Sequence, residues 1–306
     1  MELSEYKFKK CIWDNKNYFR NIYINNNKFF MHKRTINKPS DYFYIELDDL
    51  KDWASVISKN YTPWNNDKEQ LIKDLLECRK GQYSNGTLFS SSRLIAEIFY
   101  NTKNRLKLLK WLKLDSKYKP CDFTWTLEYR IPIFGNNDLH PAQLDLAIEN
   151  DYFFIGIESK MKEIYKKHYD NDFELRYRDS EIDLLKEFEP IFKITKKRIK
   201  KDGKSKDVYR MSLDGEANNN FYYKQQICHL LGMRKKQSKE NSNKKFIFLN
   251  FVFDIKDISG CENLDGANIR YKMNETRVAK VLIPYFDKTG IKYKGLLSQK
   301  DLFAIK

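Results

Sequence analysis

Gln143-Leu144-Asp145-Leu146-Ala147-Ile148-Glu149-Asn150-Asp151-Tyr152-Phe153-Phe154-Ile155-Gly156-Ile157-Glu158-Ser159-Lys160 holds two apolar runs of strand length. The runs Gln143 to Glu149 and Tyr152 to Lys160 flank Asn150-Asp151, a dipeptide suited to a tight turn. An antiparallel hairpin is the expected result. Side chains two apart in a strand share a face, so Phe154, Gly156, Glu158 and Lys160 should point one way. A two-residue turn at Asn150-Asp151 would set Asp145 opposite Gly156, on that same face. Glu158 would then lie diagonally from Asp145, at roughly 7–8 Å between backbones. The small residues Ala147 and Gly156 would leave room between them.

Two carboxylates so placed can share one hard cation. Mg²⁺, or Mn²⁺ in its place, accepts oxygen ligands and keeps several waters. Such an ion activates a water and neutralises charge on a scissile phosphate. Lys160 would orient or deprotonate that water, or stabilise the charge that develops on phosphorus. Together these groups make a minimal kit for phosphodiester hydrolysis.

Upstream, Trp125 to Ile133 has the pattern of a first strand, followed by the turn-rich loop 134–138. Apolar spacing predicts helices over 67–79, 92–101 and 103–114, with a loop from Gly81 to Leu88 and an N-cap among Ser90, Ser91 and Ser92. Residues 1–62 mix short aromatic runs with polar turns. Downstream, 161–190 reads as helical and charged, and Lys193 to Arg210 as a mobile basic loop around Gly203. A helix over 218–232, a buried strand from Lys245 to Asp254, a helix from Glu275 to Ile283 and a short tail complete the chain. The expected fold is α/β: a mixed central sheet, made of a three-strand meander plus a further strand, flanked by helices. Residues 1–80 would be an N-terminal extension packed on a core domain of 81–306.

The 57 Lys and Arg outnumber 42 Asp and Glu, giving a formal charge of +15, which favours a polyanionic partner. Lys196, Lys197, Arg198, Lys200 and Lys201 are the candidate contacts, holding phosphates without reading bases. No run approaches the length of a membrane span, and Met1 to Tyr6 lacks a signal pattern, so a cytoplasmic protein is expected. The five cysteines contain no CxxC pair and fit a reduced compartment. His32, His140, His168 and His229 show no ligand spacing and read as packing or surface residues. The absence of P-loop, GxSxG and GxGxxG patterns argues against an ATPase or a triad hydrolase.

Asp145 followed by Glu158-Ser159-Lys160 resembles the D-x(n)-(D/E)-x-K signature of the PD-(D/E)XK, restriction-endonuclease-like nuclease superfamily. The resemblance covers roughly 90–260. It implies Asp145 and Glu158 as metal ligands, Ser159 as a ligand through its carbonyl, and Lys160 as the catalytic lysine. Leu144 stands where the name-giving motif has proline. Glu97, in the helix before the meander, matches an acidic residue that often assists the metal in this family. Gln226, with Gln225 as its rival, matches the glutamine-bearing helix of RecB-like branches; Glu128 is a further acidic candidate on the first strand. The implied activity is that of a Mg²⁺-dependent DNA endonuclease in restriction or defence, with a homodimer as one way to cut both strands. A repair or recombination nuclease, an RNase, and an inactive nucleic-acid-binding protein of the same fold stay open.

Overall fold

The structure is a computed structural model. It describes residues 30–31, 43–44, 47–63, 66–76, 78–79, 82–83, 91–134, 138, 141–160, 172–179, 183–201, 203–213, 223–240, 243–254 and 265–306. The first elements are two-residue strands β1 (Phe30–Met31) and β2 (Phe43–Tyr44), then helices α1 (Leu47–Ser58) and α2 (Lys68–Leu75). The short pair β3 (Cys78–Arg79) and β4 (Gln82–Tyr83) follows, with helices α3 (Ser91–Tyr100) and α4 (Thr102–Leu112) after it. Strands β5 (Thr124–Ile131), β6 (Ala142–Glu149) and β7 (Phe153–Lys160) come next, then β8 (Asp172–Glu174), β9 (Phe192–Lys201) and β10 (Lys204–Leu213). Helix α5 (Tyr223–Glu240), strand β11 (Lys245–Val252), helix α6 (Asp265–Lys288), strand β12 (Ile291–Ser298) and helix α7 (Gln299–Ala304) end the chain.

The central sheet has the order β12-β11-β7-β6-β5. Its β5-β6-β7 half is the expected antiparallel meander. The other half is parallel, because α5 returns the chain from a separate three-stranded sheet, of order β8-β10-β9, to β11 beside β7, and α6 links β11 to β12. Parallel neighbours need such crossovers. β7 lies in the middle and is buried along its whole length. Phe99 of α3 packs on Phe251 and Trp125 on one side of the sheet. His229 of α5 and Phe286 of α6 pack on Phe248 on the other. Leu50, Trp53, Ala54 and Ile57 of α1 belong to the same apolar core.

The β6–β7 turn sits one residue later than Asn150-Asp151. Asn150 Oδ1 accepts from the N–H groups of Tyr152 and Phe153, both at 2.9 Å, and Asn150 N–H donates to the Phe153 carbonyl. This asparagine turn leaves Asp151 and Tyr152 at the tip. Ala147, not Asp145, therefore pairs with Gly156. Parity survives, because the register moves by two.

Five other expectations are corrected. Within 172–190 the described residues form β8 and two short 3-10 turns instead of an α-helix, since Phe173 is buried and Asp172 clamps Arg210 of β10 through two 2.6 Å hydrogen bonds. Residues 161–171 and 180–182 of that stretch lie outside the described residues. Lys193 to Arg210 is a β-hairpin, not a loop: β9 and β10 pair over ten rungs, turning near Gly203 at φ +78°. Helix α5 runs to Glu240, beyond 232, and α6 spans far more than 275–283. The tail contains β12 and α7.

Candidate active site

The C-terminal end of β7 carries Glu158, Ser159 and Lys160, all buried. The β6–β7 ladder is regular as far as Leu146↔Ile157 and stops there. At the next rung the Asp145 carboxylate replaces a main-chain acceptor: Ser159 N–H donates to Asp145 Oδ2 at 2.6 Å. Ser92, in the first turn of α3, donates its hydroxyl to Asp145 Oδ1 at 2.8 Å. Thus Asp145 is held between β7 and α3, rather than displayed beside Glu158 on one face.

The flanking strand breaks at the same rung. Leu127 pairs with Leu146 and Tyr129 with Leu144, so Glu128 comes across from Asp145 in register, but at φ +51°. Positive φ is uncommon outside glycine and resets side-chain alternation. Tyr129 accordingly turns toward α5, where Lys236 donates to its hydroxyl at 2.9 Å. Leu144 turns the same way: a Cβ added at Gly156 would meet Leu144 Cδ1 at 2.8 Å and Met233 Sδ at 3.4 Å. The space expected beside Gly156 is therefore filled by side chains. Glu128 is half-buried and accepts from the Gln143 side-chain amide.

Glu158 is enclosed from the α5 side. Lys160 Nζ and Gln225 Nε2 both donate to its Oε1, and His229 Nε2 stands 2.9 Å from Oε2. Burial alone would raise this carboxyl, but the Lys160 and His229 charges and their hydrogen bonds outweigh it and hold Glu158 below the ordinary value. Asp145 goes the other way. Burial pushes it well above the usual range, and the negative charges of Glu158 and Glu128 add to the push. Two neighbouring carboxylates thus differ in their readiness to ionise.

The predicted residues divide. Asp145, Glu158, Ser159 and Lys160 come together. Glu97 is buried on α3, the helix that supplies Ser92, with its carboxylate 3.5 Å from Arg93. Gln226 pairs not with Glu158 but with Asn250 of β11, the residue beside Glu158 in the β7–β11 ladder, and Gln226 Nε2 lies 2.9 Å from Asn250 Oδ1. Gln225 makes the contact with Glu158 instead. Lys196, Lys197, Arg198 and Lys200 are exposed on β9, which Lys201 closes. His229, expected to be ordinary packing, belongs to the site. Its spacing of four from Gln225 puts both on one helix face and was the available signal.

Behind the site lies a buried polar chain. Asn250 Nδ2 donates to Gln226 Oε1 at 3.3 Å and to the Tyr293 hydroxyl at 2.8 Å, and Tyr293 donates to Glu275. Burial raises Glu275 above the ordinary glutamate value.

Among the described residues no group of three or more His, Cys, Asp or Glu is arranged to hold a metal ion, and no helix is long and apolar enough to cross a membrane. Comparison with family profiles, curated proteins and solved structures gives no match to this chain.

Proposed function

We propose that this protein is a metal-dependent deoxyribonuclease of the restriction-endonuclease-like, PD-(D/E)XK kind, with DNA as its substrate. The observation that supports it most is the burial of Asp145, Glu158 and Lys160 together, with the Asp145 carboxylate disfavoured first by burial and then by its acidic neighbours. Like charges are rarely kept so close without a cation to offset them.

Carboxylate and carbonyl oxygens are the donor chemistry that a hard divalent ion prefers. Asp145 and Glu158 would be its carboxylate ligands, and Lys160 already places positive charge on Glu158 Oε1. In an extended strand a residue's N–H and C=O leave by the same edge, so the Ser159 carbonyl opens toward Asp145. The ion would supply an activated water and charge neutralisation at the phosphate. Lys160 would leave Glu158 to orient that water as an ammonium, or, after giving its own proton to solvent, to accept the water's. Gln225 and His229 would keep the Glu158 carboxylate in place. A homodimer cutting both strands, and a restriction or defence setting, belong to the same proposal.

Incubation of the protein with plasmid and phage DNA, in Mg²⁺ or EDTA, tests it. Mg²⁺-dependent discrete fragments are expected, and a smear would indicate non-specific or end-directed cutting. Intact DNA under all conditions would remove the enzymatic reading.

A further inference from the structure

Strands β9 and β10 outrun the third strand of their sheet. Among the described residues β8 pairs only with Val208, Tyr209 and Arg210, whereas β9 and β10 stay paired from Phe192↔Leu213 to Lys201↔Lys204. Beyond Val208 the rungs from Arg198↔Asp207 to Lys201↔Lys204 form a two-stranded arm. At about 3.4 Å per residue it extends roughly 10–14 Å.

The charge on this arm is lopsided. In sequence it carries Arg198, Lys200, Lys201, Lys204 and Lys206 against Asp202 and Asp207, and Lys196 and Lys197 stand at its base, on rungs that β8 shares. Arg198 meets Asp207 at 3.8 Å, and Lys206 meets Glu174 at 3.6 Å. Among the described residues no ion pair engages the exposed Lys196, Lys197, Lys200 or Lys204. Alternation and register put Lys196, Arg198 and Lys200 on one face, and Lys197, Lys206 and Lys204 on the other. Lysines on an edge discourage strand pairing between molecules. That purpose needs a charge or two on the edge, not cations on both faces. A ribbon lying between two phosphate rows does need them on both.

We infer that this ribbon enters the major groove of duplex DNA. That groove, about 12 Å wide, admits a two-stranded antiparallel ribbon. The major groove of A-form RNA is too narrow. The root of the ribbon adjoins the candidate site: the Phe192 ring lies 5.3 Å from that of Tyr223 at the start of α5, two residues before Gln225. The inference rests on nucleic acid being the substrate, but it is tested by binding alone.

The experiment measures anisotropy of a labelled 30-base-pair DNA with the full chain in EDTA, over a salt series. Changing Lys196, Lys197, Arg198, Lys200 and Lys204 together to Gln should weaken binding more than tenfold and reduce the salt slope by about four. Changing the four lysines to Arg should preserve both, and equal melting temperatures establish that both variants fold. Methyl green, which occupies the major groove, should displace the protein, and netropsin in the minor groove should not. Unchanged affinity in the Gln variant, equal binding to duplex RNA of that length, or displacement by netropsin alone would overturn the ribbon. A wild-type chain that binds duplex DNA through the ribbon yet never cuts it would sink only the nuclease reading.

Discussion

Ser159 N–H donates to Asp145 Oδ2 across 2.6 Å, so the carboxylate is part of the sheet's own hydrogen-bond system. Removing it has two effects that different substitutions separate. Asp145→Ala leaves a buried N–H unsatisfied, at a cost of about 1–3 kcal/mol. Asp145→Asn keeps an acceptor and removes the charge that Glu158 and Glu128 oppose. The Asn variant should melt at or above the wild-type temperature in EDTA and lose cleavage by more than about a hundredfold. Near-normal cleavage in single-turnover assays would take Asp145 out of the chemistry.

Lys160 is the cationic partner of a buried carboxylate. Lys160→Ala should destabilise by about 3 kcal/mol, since Glu158 loses a buried counter-charge. At a temperature where the variant stays folded, DNA binding in Ca²⁺ should persist while turnover falls away. Lys160→Arg should not restore turnover, because guanidinium does not deprotonate in proteins. Wild-type single-turnover rates in the Ala variant would refute the catalytic role.

His229 is expected to position Glu158. His229→Leu strands Glu158 Oε2 in the interior and should lower turnover roughly 10–100-fold. His229→Gln, which returns an amide donor near the place of Nε2, should recover much of that loss. If both variants cut equally well, the imidazole merely fills space.

The two adjacent glutamines should behave differently. Gln225→Ala is predicted to reduce turnover with little change in melting temperature. Gln226→Ala removes the partner of buried Asn250 and should cost about 1–3 kcal/mol. Urea denaturation beside cleavage assays separates them, and the reverse pattern would exchange their assignments.

Glu275 supplies a pH signature. Its folded value is raised, so its contribution to stability is full below the unfolded glutamate value and is lost as pH rises through the folded one. Glu275→Gln should therefore flatten the fall in stability on going from acid toward neutral pH. Parallel stability–pH curves for the two proteins would show that Glu275 titrates normally.

The meander, helix α3 and the nearness of Asp145, Glu158 and Lys160 were legible because their signals are local, apolar runs with charges set into them, whereas the turn residues and the register they fix were not. The broken alternation at Glu128 and Asp145 was not, since period-two reasoning assumes every residue is extended. The β9–β10 hairpin was hidden by its lysines, which are poor strand formers in isolation and depend on cross-strand pairing. β12 was hidden by Gly295, whose φ of +81° accompanies a register shift against β11 and resets the pattern of apolar residues. The role of His229 depends on a carboxylate 71 residues away.

The chain leaves the central sheet at Lys160, passes along it again as helix α5 from Tyr223, and rejoins it at Lys245. The described strands between Lys160 and Tyr223, β8, β9 and β10, form a sheet of their own, while Phe188 packs on Tyr285 of α6 and Tyr177 meets Cys228 of α5. Exchanging residues 161–222 for another segment with the same end points would leave β5, β6, β7 and β11 with their neighbours unchanged. The strands that carry Asp145, Glu158 and Lys160 and the ribbon that carries the exposed lysines would then be separable parts, one exchanged while the other keeps its place.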